Sequence, residues 1–255
     1  MRRIRVIPSL LLSHDSLVKT KNFKSPTYVG DPINAVRIFN EKQVDEIVIL
    51  DILASQKKLE PNFDLIKKIA SECFIPVMYG GGITTIEQMK FLFKLGIEKL
   101  ALNTGFFRDK SLIQKAIQIF GSQSIVASID LKKNFLGRTQ AYTHGGTKRV
   151  SLKQTQIISQ IKKLGFGEVL LNSVDRDGSY SGYDLKSVGF FASNLGIPVI
   201  ASGGASSLQD MLVAVEAGAS AVSAGSMFVF KGMHRAVLIN YPSQKELTNS
   251  IFKKL

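Results

Sequence analysis

Two stretches of this chain decide its fold when set side by side: PVMYGGGITTIEQMKFLFKLGIEKLALNTGFF (76–107) and PVIASGGASSLQDMLVAVEAGASAVSAGSMFV (198–229). They align without gaps at an offset of 122 (198 − 76). Pro76/Pro198, Gly81/Gly203, Gly82/Gly204, Met89/Met211, Gly96/Gly218 and Phe106/Phe228 coincide. Each stretch reads as a short apolar strand, a Gly-rich turn, an amphipathic helix and a second strand. Upstream, DEIVILDI (45–52) matches GEVLLNSV (167–174) at the same offset, and VIPSLLL (6–12) matches IVASIDL (125–131) at 119 (125 − 6). A repeat that spans four strand–helix units, twice, predicts an α/β fold of the (β/α)8 TIM-barrel type built from two half-barrels.

The rest of the chain fits that reading. Apolar, β-branched runs at Arg5–Leu12, Glu46–Asp51, Pro76–Tyr79, Lys99–Asn103, Ser124–Leu131, Glu168–Asn172, Pro198–Ala201 and Ala219–Ala224 give eight strands. Asp31-Pro32 places an N-cap before a proline at the first helical position. Thr84-x-x-Glu87 and Ser206-x-x-Gln209 read as capping boxes, and Gly96, Gly165, Gly196 and Gly218 as helix ends. Leu152, Ile157, Ile158, Ile161 and Leu164 mark one apolar helix face. The expected organisation is a single domain over 1–255, with half-barrels of about 1–122 and 123–255.

Composition narrows the class. With 45% hydrophobic residues and 255 residues, the chain has the length of one barrel. Lys+Arg 33 against Asp+Glu 20 gives +13, but the basic residues are scattered and form no run longer than a pair, which argues against a nucleic-acid surface. One cysteine, Cys73, excludes an internal disulfide and fits a reducing, cytoplasmic setting. The three histidines, His14, His144 and His234, show no metal-ligand spacing, so no metal is expected. No run is long enough to span a membrane, and the N-terminal MRRIRVIPSLLL reads as the approach to a first strand rather than a leader.

Barrels of this type carry their chemistry at the C-terminal ends of the strands. Gly80-Gly81-Gly82 and Ser202-Gly203-Gly204 lie there, each followed one unit later by Asn103-Thr104-Gly105 or Ala224-Gly225-Ser226. Two symmetric glycine turns suit two separated phosphates. Carboxylates also end strands, Asp51 on the second and Asp130 on the fifth, with Asp175 and Asp177 after the sixth. Asp130 is the candidate acid or base, whereas Asp175 reads as a loop hydrogen bond. The internal symmetry places Leu11 opposite Asp130, and leucine transfers no proton; Asp15, in the following loop, is the residue that stands near enough in sequence to substitute. At the other strand ends, Arg5, Glu46, Lys99 and Glu168 form either a salt-bridged plug or a functional gate.

Together, the repeat, DEIVILDILAS, YGGGI, LALNTG, FGSQSIVASID, LLNSVDRDG-x-x-x-GYD and IASGGA resemble the cyclase subunit of imidazole glycerol phosphate synthase over residues 5–229. The resemblance implies a glutaminase partner on the N-terminal face and ammonia passing through a barrel gated by Arg5, Glu46, Lys99 and Glu168, with no organic cofactor. It implies one substrate phosphate at Gly82, Asn103 and Thr104, another at Asp177, Gly178, Gly204, Gly225 and Ser226, and further substrate contacts from Lys19 and Asp51. The family's two catalytic aspartates end the first and fifth strands. Asp130 matches the second, and Leu11 replaces the first. That departure, with the loop SHDSLVKTKNFKSPTYVGDPIN and the tail GMHRAVLINYPS, resembles a paralogous branch found with surface-polysaccharide genes and associated with amidination of an N-acetyl sugar. The alternatives are a genuine histidine-pathway cyclase and a catalytically silent scaffold for the glutaminase.

Overall fold

The computed structural model describes residues 4–232 and 234–255; the start of MRRIRVIPSLLL and Met233 of the tail lie outside the described residues. Eight parallel strands close into a barrel: β1 (Arg5–Ser13), β2 (Ile47–Asp51), β3 (Val77–Gly80), β4 (Lys99–Leu102), β5 (Ile125–Lys133), β6 (Glu168–Ser173), β7 (Val199–Ser202) and β8 (Ala221–Ala224). Each pairs with the next, and β8 pairs back to β1 through Arg5↔Ala221 to Pro8↔Ala224. Around them run α1 (Pro32–Glu41), α2 (Phe63–Glu72), α3 (Ile86–Lys94), α4 (Lys110–Phe120), α5 (Gln154–Leu164), α6 (Leu185–Leu195), α7 (Leu208–Glu216) and α8 (Gln244–Ser250). Among the described residues no helix is long and apolar enough to cross a membrane.

Local chemistry accounts for the boundaries. Asp31 caps α1 by accepting from the Asn34 N–H, with Pro32 at the first helical position. Ile157, Ile158, Ile161 and Leu164 of α5 are buried, and the half-buried Leu152 packs against the same core. Gly165 and Gly196 end α5 and α6 in the left-handed conformation. The capping boxes lie one residue later than the sequence suggested: Thr85 with Gln88 on α3, and Ser207 with Asp210 on α7. Both segments offer two overlapping candidates. The later frame buries Met89 and Leu92 of α3, and Met211, Leu212 and Val215 of α7, so packing selects it.

The core has two layers. The larger lies between strands and helices. The smaller lies inside the barrel, with one residue from each strand: Ile7, Val48, Met78, Ala101, Val126, Leu170, Ile200 and Ala221. Two loops depart from plain strand–helix alternation. After β1 the chain forms a hairpin, Ser16–Lys21 against Lys24–Gly30, whose first arm pairs with the end of β1 (Leu11↔Val18). After β5 a second hairpin places Thr139–Thr143 against the strand end (Asp130↔Tyr142) and Lys148–Arg149 outside it. Both hairpins rise from the C-terminal mouth of the barrel.

Candidate active site

The N-terminal mouth is closed by ions. Arg5 donates to both Glu46 and Glu168, and Lys99 donates to the same two carboxylates at 3.1 and 2.9 Å. The glutamate side chains are only 3% and 6% exposed, so two negative and two positive charges compensate one another where water cannot. Glu46 Oε1 has no partner within the ring.

Above the apolar layer, the C-terminal mouth holds the groups expected to do chemistry. Asp130 is buried on β5, and its Oδ1 accepts from Asn172 Nδ2 of β6 at 3.2 Å. Burial, helped by the field of Asp177 and opposed by the Asn172 bond, pushes its carboxyl up to about 7. The corresponding pair in the other half-barrel is Leu11 on β1 and Leu50 on β2, which stand side by side in register. Asp15 does not supply the missing carboxylate: the turn after β1 carries it to the exposed rim, where it accepts from Asn62 Nδ2 at 2.9 Å.

Two cavities flank this centre. The larger, about 770 Å³, is lined by Gly80, Gly81, Gly82, Asn103, Thr104, Asp51 and Asp130. The smaller, about 40 Å³, is lined by Lys19, Asp177, Gly178, Gly204, Gly225 and Ser226. Leu11, Leu50 and Asn172 form the wall common to both. The structure thus brings the residues assigned to each phosphate together, on opposite sides of the mouth, but in cavities of very different size.

The second cavity is small because loops fill it. Lys19, on the first arm of the β1 hairpin, is buried; its ammonium donates to the Ser9 carbonyl and lies against Gly225. Desolvation lowers its pKa to about 8, against the pull of Asp177. Tyr180 reaches over Ser226 and donates to its carbonyl at 3.2 Å. The Asp177 carboxylate docks the hairpin, accepting from Thr20 Oγ1 at 2.6 Å and from the Phe23 N–H at 3.3 Å. Asp175 makes the loop hydrogen bond expected of it, accepting from the Lys133 N–H. Asp51 accepts from the Leu53 and Ala54 N–H groups at 2.9 and 3.0 Å, and burial pushes its carboxyl up.

The glycine turns are required by their surroundings. A Cβ on Gly82, at φ +71°, would stand 2.6 Å from the Leu59 carbonyl oxygen; one on Gly204, at φ +104°, would stand 2.1 Å from that of Gly182. Gly204→Ala is expected to cost roughly 2 kcal/mol, from positive-φ strain and displacement of the β6 loop. Urea unfolding measures it, and an unchanged midpoint would show that the loop yields freely.

Several cavity residues were not singled out from the sequence. Lys58, Arg108, His144 and Lys148 line the larger cavity together with Phe23. They come from short segments between barrel strands and outer helices, too short for any periodicity to mark the inward-facing side. The His144-Gly145-Gly146 turn between two apolar runs was the available sign of a hairpin over the mouth. Among the described residues, no group of three or more His, Cys, Asp or Glu is placed to hold a metal ion.

Comparison with known proteins agrees with this architecture. The family model described as "Histidine biosynthesis protein" matches residues 5–234. A Pseudomonas aeruginosa protein, provisionally named imidazole glycerol phosphate synthase subunit hisF2, is 50% identical over 248 residues, covering 97% of this chain and 99% of the relative. A Vibrio vulnificus protein with the provisional name hisF3 is 47% identical over 96% of this chain and 95% of its own length. The imidazole glycerol phosphate synthase subunit HisF of Alkaliphilus metalliredigens is 40% identical over 88% of this chain and 89% of the relative. A closed eightfold barrel with paired glycine turns, matched at this identity along nearly its whole length, places the chain in the HisF family of imidazole glycerol phosphate synthase subunits.

Proposed function

We propose that this HisF-type subunit receives ammonia from a glutaminase partner seated on its N-terminal face and delivers it, through the barrel, for amidination of an N-acetyl sugar in surface-polysaccharide synthesis. The observation that carries this reading is the asymmetry at the catalytic mouth. Asp130 and Asn172 form a buried polar pair on one side, and their counterparts, Leu11 and Leu50, are both aliphatic. Chemistry that needs an acid or base from each half-barrel has lost one of them.

What remains suits ammonia. The ion ring closes the N-terminal end, and the apolar layer lies beyond it. Neutral ammonia crosses eight apolar side chains at modest cost, whereas ammonium would have to shed its hydration there. The polar layer of Ser9, Ser128 and Asn172 and then the Asp130 carboxyl receive it on the far side. With a pKa of about 7, Asp130 can take or return a proton at neutral pH. The phosphate site at Gly82, Asn103 and Thr104 in the larger cavity holds the phosphorylated acceptor; Gly178, Gly204, Gly225 and Ser226, with Lys19 beside them, line the smaller one. The relatives are named as subunits of a synthase, which supports a partner subunit; that the partner is a glutaminase is part of this proposal.

The test is turnover of the histidine-pathway bisphosphate by the purified chain, with ammonium chloride at pH ~8.5 in place of the glutaminase. The expected result is none detectable. A rate near ~1 s⁻¹, ordinary for enzymes, would overturn the amidination reading and make Asp130 sufficient for cyclisation. The two separated anion cavities favour that second reading, because a bisphosphate spans them.

A further inference from the structure

Four positively chargeable side chains surround the larger cavity, and neutral donors of the glycine turn do not explain them. Lys58 follows the short helix Ala54–Lys57 after β2; Arg108 ends the helix Thr104–Arg108 after β4; His144 and Lys148 belong to the β5 hairpin. The two roof elements touch, since a Cβ on Gly145 would meet the Gln56 amide at 2.2 Å. The four groups are close enough to feel one another: partial burial, and then the charges of Lys148, Arg108 and Lys58, hold the His144 pKa below its ordinary value.

Among the described residues, no salt bridge is made by Lys58, Arg108 or Lys148, although Arg5, Lys99 and Arg37 are all paired. The carboxylates on the same cavity compensate poorly. Asp51 is turned to the Leu53 and Ala54 N–H groups, Asp130 is pushed up to about 7, and Glu60 is exposed at the edge. Lys58, Arg108 and Lys148 are exposed at the cavity edge, where water screens their mutual repulsion and where, with His144, they offer several donors at once to an anion entering the cavity. The reading above puts one phosphoryl group at Gly82, Asn103 and Thr104; the cations line the same cavity, and the His144 N–H donates to Thr104 Oγ1 at 3.4 Å. Phe23, Leu59 and Ile83 add apolar surface to the lining, and 770 Å³ is room for a nucleotide-sized ligand.

We propose that the larger cavity binds a diphosphate ester of the nucleoside-diphosphate class, with one phosphoryl at the Gly82 turn and the adjacent one beneath Lys58, Arg108, His144 and Lys148. This rests on the reading above only in taking the acceptor to be phosphorylated there. It adds that two phosphates lie side by side in one cavity, rather than one on each side of the mouth. The small cavity, with Lys19 and Tyr180 in it, is then not needed to hold this ligand's second phosphate.

The experiment is calorimetric titration of the full chain with UDP and UMP, and in parallel with ADP and AMP so that base preference does not mask the result. Inorganic phosphate serves as a third probe. The expected result is a diphosphate bound at least about tenfold more tightly than its monophosphate, the gain of several charge-assisted hydrogen bonds. In the double variant Arg108→Ala/Lys148→Ala that preference is expected to fall to within about threefold, while Lys67→Ala, on the outer helix α2, leaves it unchanged. The diphosphate should also shift the His144 imidazole resonance more than the monophosphate does, one signal among only three histidines. Equal affinity for both, or equal losses in the cavity variant and the Lys67 control, would overturn the diphosphate assignment while leaving the phosphate site standing. Failure of phosphate, monophosphate and diphosphate alike would overturn both.

Discussion

Asp130→Asn is expected to yield a protein that is more stable above neutral pH and inactive. A buried carboxyl with a folded pKa of about 7, against 3.8 for the ordinary group, is held protonated by the fold and ionises on unfolding. The folded state therefore binds more protons than the unfolded state between these values, and stability falls as pH rises through that window. Asparagine carries no such penalty and keeps an oxygen to accept from Asn172 Nδ2. At pH 8.5 the stabilisation has a ceiling of ~4 kcal/mol, three pKa units at ~1.4 kcal/mol each. It should shrink as pH falls and vanish near pH ~4, where both states of the parent are protonated. Urea unfolding of both proteins across this range checks it. Ammonia-dependent amidination in the reconstituted system should drop by ~10²–10⁴, the usual loss for an acid or base. A gain over the parent that is no larger at pH 8.5 than at pH 5 would show that Asp130 ionises freely and is no poised acid. A variant as active as the parent would remove it from the chemistry.

The second large effect lies at the opposite mouth. Glu168 accepts from both Arg5 and Lys99, so Glu168→Gln leaves two cations sharing Glu46 alone. Breaking a buried ion network by removing one member typically costs ~3–5 kcal/mol; Arg5 is 30% exposed, which points to the lower end. Removing one charge of each sign, Lys99→Met with Glu168→Leu, should be much less costly, within ~1 kcal/mol of the parent, because the remaining Arg5–Glu46 pair is balanced. The double variant should nevertheless uncouple glutamine hydrolysis from delivery of ammonia, since the ring is the barrel's N-terminal closure. If the single variant is as stable as the parent, the ring is solvated and does not close the barrel. If the double variant is stable and still couples fully, the ring is a structural plug and no gate.

The local codes of this fold are carried by short-range chemistry. An Asp-Pro pair starts α1, glycines end α5 and α6, and apolar runs mark every barrel strand to within about two residues. The repeat at offset 122 made the eightfold barrel and the two glycine turns legible, because a half-barrel is a unit whose sequence must pack the same way twice. Even the error in the capping boxes was local: two overlapping frames of Thr85 and Ser207 satisfy the same rule, and only burial of the helix face chooses. That Arg5, Glu46, Lys99 and Glu168 open strands was visible too, but their meeting in a single ring required the strands to close around one axis.

The active mouth was decided elsewhere. Sequence symmetry predicts two equivalent anion sites, and the structure makes one roomy and one nearly full. The difference comes from hairpins that the repeat does not encode. The arm carrying Lys19 and the loop carrying Tyr180 fill the space beside Gly225, and the turn carrying His144 stands over the space beside Thr104. Strand order and glycine placement follow from neighbours a few residues apart. The volume and charge of a cavity instead depend on which side chains, forty to more than two hundred residues apart, arrive at the same place.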